Sequence, residues 1–203
     1  MPKPDFFGRL GLYSCEGFLD AALCRQLQAA FHRGSRHAGT VGVRAGADFV
    51  VDSSVRSVDW VDVGDELASE IRGRLQEAKP GVETFYDVAL NDFERLQFLA
   101  YGVGDHYQAH RDSRPDEAAS ATSKARRISA VIFVNGQSTA PAAGRYGGGA
   151  LTFYGLVDHP SGDQIGMPLE PAEGLLMTFP SHVLHSVAPV THGERYTIAT
   201  WFW

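Results

Sequence analysis

The stretch LQFLAYGVGDHYQAHRDS, residues 96–113, carries an apolar run ending in Tyr101, a turn with two glycines, and then two histidines and a carboxylate within seven positions. If residues 107–112 form a strand, side chains alternate between its faces, so His110 and Asp112 point the same way. His106 joins them if the strand starts early. Parity therefore leaves both histidines open as metal ligands. A metal site also needs a third ligand from elsewhere in the chain.

Downstream of this stretch the texture stays β-like. Short runs rich in β-branched and aromatic residues recur between turn signals: ERLQFLAY, RISAVIFVNG, GALTFYG, GLLMTFP, VLHSVAPV and RYTIATWFW. Six such runs predict a sandwich or barrel with helices packed outside it. Between them, residues 113–126 and 136–148 are small and polar and read as mobile loops.

Upstream, DAALCRQLQAAFHRG (20–34) predicts a helix capped by Asp20, with Leu23, Leu27 and Phe31 on one face and Gly34 closing it. A second helix follows in DVGDELASEIRGRLQEAKPG, with Leu67, Ile71 and Leu75 as its apolar stripe and Pro80-Gly81 as its stop. Residues 34–50 hold four glycines and little periodicity, a loop or loose hairpin that is a lid candidate.

Composition narrows the function classes. The 203 residues, 44% of them apolar, suffice for one domain with a sizeable core. A net charge of −6 argues against a nucleic-acid partner. No apolar run approaches the roughly 20 residues that span a bilayer, so no membrane partner is expected. Cys15 and Cys24 make no disulfide framework and no secretory leader is visible, which points to a reducing cytoplasm. Ser181 and Ser186 lack a nucleophile-elbow pattern, and the glycines 147–149 open no helix that would cradle a phosphate.

The distant ligand lies in SHVLHSVAPVTHGERYTIATWFW, where His182, His185 and His192 are available. One of them with an HxD pair would form the two-histidine, one-carboxylate set that holds non-haem Fe(II) and leaves three coordination positions open. Arg195 lies ten residues after His185 in an apolar terminal strand, where a buried charge is costly without a partner. Its planar guanidinium would receive a carboxylate bidentately. Thr197, on the same strand face, would add a hydroxyl.

These elements together, from LQFLAYGVGDHYQAHRD through RRISAVIFVN, GGALTFYG and GLLMTFP to LHSVAPVTHGERYTIATWFW, resemble the 2-oxoglutarate and Fe(II) dependent dioxygenases, in particular the prolyl-4-hydroxylase-like branch. The resemblance covers about residues 93–203, and the order of HxD, Gly-Gly strand and late His followed by Arg is its specific part. It implies a mainly β fold with some α structure, a double-stranded β-helix (jelly roll) core flanked by N-terminal helices. One domain over 1–203 is expected, with helical support to about residue 92 and the catalytic core after it.

Carried over residue by residue, the resemblance implies His110, Asp112 and His185 as iron ligands. Arg195 would bind the distal carboxylate of 2-oxoglutarate with Thr197 beside it, Tyr101 would contact the co-substrate, and Trp201 would lie near the ligands. His106, His182 and His192 become wall, loop or supporting residues. Phe133 departs from the pattern, because some relatives place a tyrosine hydroxyl there on the same carboxylate. The implied cofactors are Fe(II), 2-oxoglutarate as co-substrate and O2, with ascorbate as a further candidate. The implied reaction is hydroxylation of an unactivated C–H bond, with succinate and CO2 as co-products. A prolyl or similar residue of a protein or peptide is the first substrate expectation, a small metabolite the second. A non-catalytic β-helix binding module is the third reading.

Overall fold

The computed structural model describes residues 6–39, 41–42, 49–50, 52–113, 121–159 and 161–203. Helix α1 (Phe6–Arg9) leads into strand β1 (Tyr13–Cys15), and α2 (Ala21–Arg33) follows. As the sequence predicts, the Asp20 side chain caps α2 by accepting from the Leu23 N–H at 2.9 Å. Leu23, Leu27 and Phe31 form its buried face, each contributing about 1.5–3 kcal/mol. Gly34 does end the helix, but not through a left-handed turn, since its φ is −67°. A Cβ there would stand 2.1 Å from the Asp62 carbonyl oxygen, so close approach demands the glycine.

Next come β2 (Arg36–Ala38), β3 (Val41–Gly42), β4 (Phe49–Val50), β5 (Arg56–Ser57), β6 (Asp59–Val61) and α3 (Asp65–Tyr86). In the expected lid, 34–50, β2 pairs with β6 and β3 with β4, while residues 40 and 43–48 lie outside the described residues. The predicted stop at Pro80 is wrong, because α3 continues through it to Tyr86. Packing outweighs the proline: Val82 is fully buried, and the Tyr86 hydroxyl accepts from the Tyr13 N–H at 3.1 Å and reaches the Thr178 carbonyl at 2.7 Å.

The second half runs β7 (Gln97–Tyr101), β8 (His106–His110), α4 (Ala121–Ala125), β9 (Ile128–Phe133), β10 (Gly147–Gly148) and β11 (Leu151–Tyr154). It ends with β12 (Gly166–Leu169), β13 (Leu176–Pro180), β14 (His185–Val187), β15 (Val190–His192) and β16 (Arg195–Phe202). Every one of the six predicted runs contains a strand. Within 113–126, residues 114–120 lie outside the described residues and α4 follows them.

Among the described residues, two antiparallel sheets carry the fold: β1-β13-β9-β16-β7-β6-β2 and β12-β11-β14-β8-β5. This is the expected double-stranded β-helix. The N-terminal half is more than helical support, since β1, β2 and β6 enter the first sheet and β5 the second. No helix among the described residues is long and apolar enough to cross a membrane.

Strand alternation sorts the two cores. In β16, Tyr196, Ile198 and Phe202 pack towards α2 and α3. Arg195, Thr197, Ala199 and Trp201 therefore face the opposite way, into the space between the sheets. Tyr101, Phe133, Phe153, Phe179, Val187 and Val190 line that interior with Ala199.

Candidate metal and co-substrate site

Antiparallel pairing of β8 with β14 sets His110 directly opposite His185, with ring centroids 4.2 Å apart. The Nδ1 of His110 lies 2.8 Å from the Gln108 carbonyl, and that of His185 lies 2.9 Å from the Val183 carbonyl. A carbonyl only accepts, so both Nδ1 atoms must carry the proton. Both Nε2 lone pairs are thereby left for a metal.

Asp112 completes the cluster. Its Oδ1 is 3.6 Å from His110 Nε2 and its Oδ2 3.5 Å from His185 Nε2, and one ligand atom from each residue lies within 4.8 Å of the others. The strand ends before Asp112, and the Asp112 and Ser113 N–H groups both donate to the Ser181 carbonyl. Ser129 Oγ donates to Asp112 Oδ2 at 2.7 Å. Burial alone would push the Asp112 carboxyl up. The neighbouring His185 and His110 and a hydrogen bond from Trp201 instead hold it well below the usual carboxylate range. Burial, followed by the proximity of His110, pushes His185 down to about 4, so the imidazole is neutral at pH 7. Two neutral imidazoles and one ionised carboxylate are the donor set that suits Fe(II).

A β-bulge decides which histidine enters. Val187 pairs with Tyr107 but His185 with His110, so two steps along β14 match three along β8. The extra residue turns the rest of β8 over, and His110 stacks on Tyr107 at 3.5 Å and 17°. His106 lies before the bulge and bonds the Gly104 carbonyl at 3.1 Å, and it is not one of the three residues that come together. Of the other decoys, His192 packs against Gly147 and the His182 carbonyl accepts from Arg111. Trp201 reaches Asp112, and the Arg126 guanidinium, paired with Glu94 at 2.6 and 2.8 Å, stacks 3.7 Å over its ring.

Arg195 faces the same apolar interior from the other sheet. It is 1% exposed, its Nη1 donates to Thr197 Oγ1 at 3.2 Å, and its Nε has no hydrogen-bond partner. Its guanidinium carbon lies 5.0 Å from the centre of the Tyr101 ring and 5.3 Å from that of Phe133. Among the described residues no carboxylate pairs with it. A buried cation without a counter-charge is costly, and an anionic ligand entering between the sheets would supply one. The residues present thus fit both groups: His110, Asp112 and His185 would hold a metal, and Arg195 would receive the remote carboxylate of a 2-oxo diacid.

The sequence reading missed Tyr146, which is fully buried beside the Arg195 guanidinium, with no well-formed hydrogen bond at its hydroxyl. It sits in the segment 136–148 read as a mobile loop, and nothing in its spacing flags it. Ser129 was likewise missed, since a serine inside an apolar strand has no signature of its own.

The profile of the 2OG-Fe(II) oxygenase superfamily matches residues 96–203. A PKHD-type hydroxylase of Pseudoalteromonas atlantica is 30% identical over 156 residues, which are 74% of this chain and 61% of the relative. A PKHD-type hydroxylase of Klebsiella pneumoniae is 26% identical over 150 residues, with 73% and 61% covered. The chain thus spans about three fifths of the length of these curated relatives. A Pseudomonas putida prolyl-4-hydroxylase superposes with a TM-score of 0.68 at 25% identity over 95% of this chain and 91% of that one. A Trichoplax adhaerens prolyl hydroxylase, solved with a peptide fragment of hypoxia inducible factor, superposes at 0.67 and 17% identity over 95% and 83%. With the matched residues spanning HxD, His185 and Arg195, the chain belongs to the 2OG-Fe(II) oxygenase superfamily.

Proposed function

We propose that this protein is an Fe(II)- and 2-oxoglutarate-dependent dioxygenase that hydroxylates an unactivated C–H bond of a prolyl or similar residue in a protein or peptide, releasing succinate and CO2. The observation that carries the reading is the cluster of His110, Asp112 and His185 facing a buried, uncompensated Arg195 across one apolar interior. The prolyl assignment takes its support from the prolyl hydroxylases that share the fold. We take residues 1–203 to act as one catalytic domain, a reading supported by the N-terminal strands in both sheets.

Iron bound at the cluster supplies the oxidative chemistry that no side chain can perform. The chain contributes position and exclusion. His110 and His185 present bare Nε2 atoms because backbone carbonyls hold their other nitrogens, and Asp112 stays ionised beside them. Arg195 and Thr197 orient the co-substrate by its remote carboxylate, and the Tyr101 ring walls its path. Phe153, Phe179 and Val187 keep water from the ligand side of the interior.

The test is iron-dependent succinate release from 2-oxoglutarate, screened against proline-containing peptides and against pools of small metabolites. Release stimulated by peptides supports the reading. Release stimulated by metabolites alone replaces the peptide substrate with a small one. No release with any substrate, iron and ascorbate present leaves a binding module.

A further inference from the structure

Two buried polar groups beside each other lack a well-formed hydrogen bond: the Tyr146 hydroxyl, which lies next to the Arg195 guanidinium, and the Arg195 Nε. Leaving a buried donor unsatisfied is costly, so a pair of them inside one well-packed interior marks a place that a ligand completes. The backbone around Tyr146 is firmly held. Its N–H donates to the Gly136 carbonyl at 3.3 Å, and its own carbonyl accepts from the Ser138 N–H at 2.8 Å.

The glycines that follow hold the ring against the arginine. A Cβ on Gly147 would stand 2.1 Å from the His192 ring, and one on Gly148, whose φ is +66°, would stand 2.4 Å from the Pro189 carbonyl oxygen. A Cβ on Gly149 would fall 2.9 Å from Arg195 Cδ and 3.4 Å from the Tyr146 ring, so both side chains lie against one bare patch of backbone. Phe133, with its ring 5.3 Å from the guanidinium carbon, offers no hydrogen bond there.

We propose that the Tyr146 hydroxyl is a third donor to the remote carboxylate of the co-substrate, beside Arg195 and Thr197, and supplies in this chain the hydroxyl that Phe133 lacks. This inference rests on the co-substrate reading above. Burial pushes the phenol pKa up against the pull of Arg195, so the proton needed for donation stays on the oxygen. A phenol facing a carboxylate favours a 2-oxo diacid over a 2-oxo acid that ends in a methyl group. Arg195, Tyr146 and Thr197 then form the specificity end of the site, remote from the metal ligands.

The test is calorimetric titration of the Mn(II)-loaded protein, without turnover, with 2-oxoglutarate and with pyruvate, a 2-oxo acid lacking the remote carboxylate. Tyr146→Phe is expected to weaken 2-oxoglutarate about ten-fold, the size of one hydrogen bond to a charged group, and to leave pyruvate and Mn(II) affinity unchanged. Adding Phe133→Tyr to that variant restores most of the loss. In the metal-free protein Tyr146→Phe leaves the thermal midpoint equal or higher, because it removes an unsatisfied hydroxyl. The inference is overturned if Tyr146→Phe binds 2-oxoglutarate as tightly as the parent, or if it weakens both acids alike. As a second check, Phe133→Tyr alone should gain less than about three-fold, since the carboxylate is already served; a ten-fold gain would show that Tyr146 does not reach it. The two readings fail differently. If Arg195→Gln abolishes the preference for 2-oxoglutarate while Tyr146→Phe does not touch it, only the tyrosine is wrong. If the parent protein shows no such preference, the co-substrate reading falls and takes this inference with it.

Discussion

His110 and His185 occupy directly paired positions on antiparallel strands, and Asp112, two residues beyond the first, reaches the Nε2 of both at 3.6 and 3.5 Å. Sheet pairing therefore makes the cluster, and side-chain packing only refines it. In the proposed metal site the carboxylate would be the single charged donor, so Asp112→Ala should lower both metal affinity and iron-dependent succinate release by more than about 100-fold, beyond the 10–100-fold seen when a supporting residue is lost. Full turnover in Asp112→Ala would show that the ligand assignment is wrong.

The bulge in β8 makes a separate prediction, because it is what lets Tyr107 and His110, three residues apart, share the face that meets Val187 and His185. Deleting Ala109 makes the ladder regular, with Tyr107 and His110 two apart and still opposite Val187 and His185, so Mn(II) binding should be retained in an equilibrium titration. Ala109→Gly keeps the bulge and should bind Mn(II) within a few-fold of the parent. Loss of binding in the deletion variant alone would mean that the bulge itself, and not the pairing of His110 with His185, shapes the site.

Protonation of His185 governs the response to acid. Its pKa is lowered from an ordinary 6.5 to about 4 by burial first, so between those values the unfolded chain binds a proton that the folded metal-free protein refuses. Stability should hold above pH 6.5 and fall as the pH drops towards 4, on the order of 3 kcal/mol across the window at about 1.4 kcal/mol per unit. Urea unfolding of the chelated protein at a series of pH values reads this directly. His185→Gln should flatten the profile between pH 6.5 and 4; an unchanged slope would assign the effect to other groups.

The strands of the second half were legible because their periodicity is local: alternation in RYTIATWFW gives both the strand and its two faces. Arg195 was legible for the same reason, as a charge at a position that alternation sends inward. His106 and His110 were not separable, since the extra residue of the bulge exists only relative to the partner strand. Tyr146 was hidden because its place beside Arg195 depends on the close approach of Gly149 to Arg195, residues far apart in the chain. The short strands β2, β5 and β6 escaped for want of length, as two or three residues carry no detectable period.

Pro80 shows where local reading fails outright, and its cost is measurable. Inside α3 it withholds an N–H from the Gln76 carbonyl and presses its ring on that turn, at about 3 kcal/mol for a helix interior. Proline also restricts the unfolded chain, which returns roughly 0.4–1 kcal/mol. The net penalty is outweighed by the turns beyond it, where Val82 is fully buried and the Glu83 carboxylate accepts from the Leu90 N–H at 2.8 Å. Pro80→Ala should therefore raise the unfolding free energy by about 2 kcal/mol, read as a higher urea midpoint at unchanged slope. Val82→Ala should lower it by about 2 kcal/mol as a cavity opens between helix and sheet. If Pro80→Ala leaves the midpoint unmoved, the helix has already absorbed the proline by bending, and the packing of Val82 need not hold α3 through it.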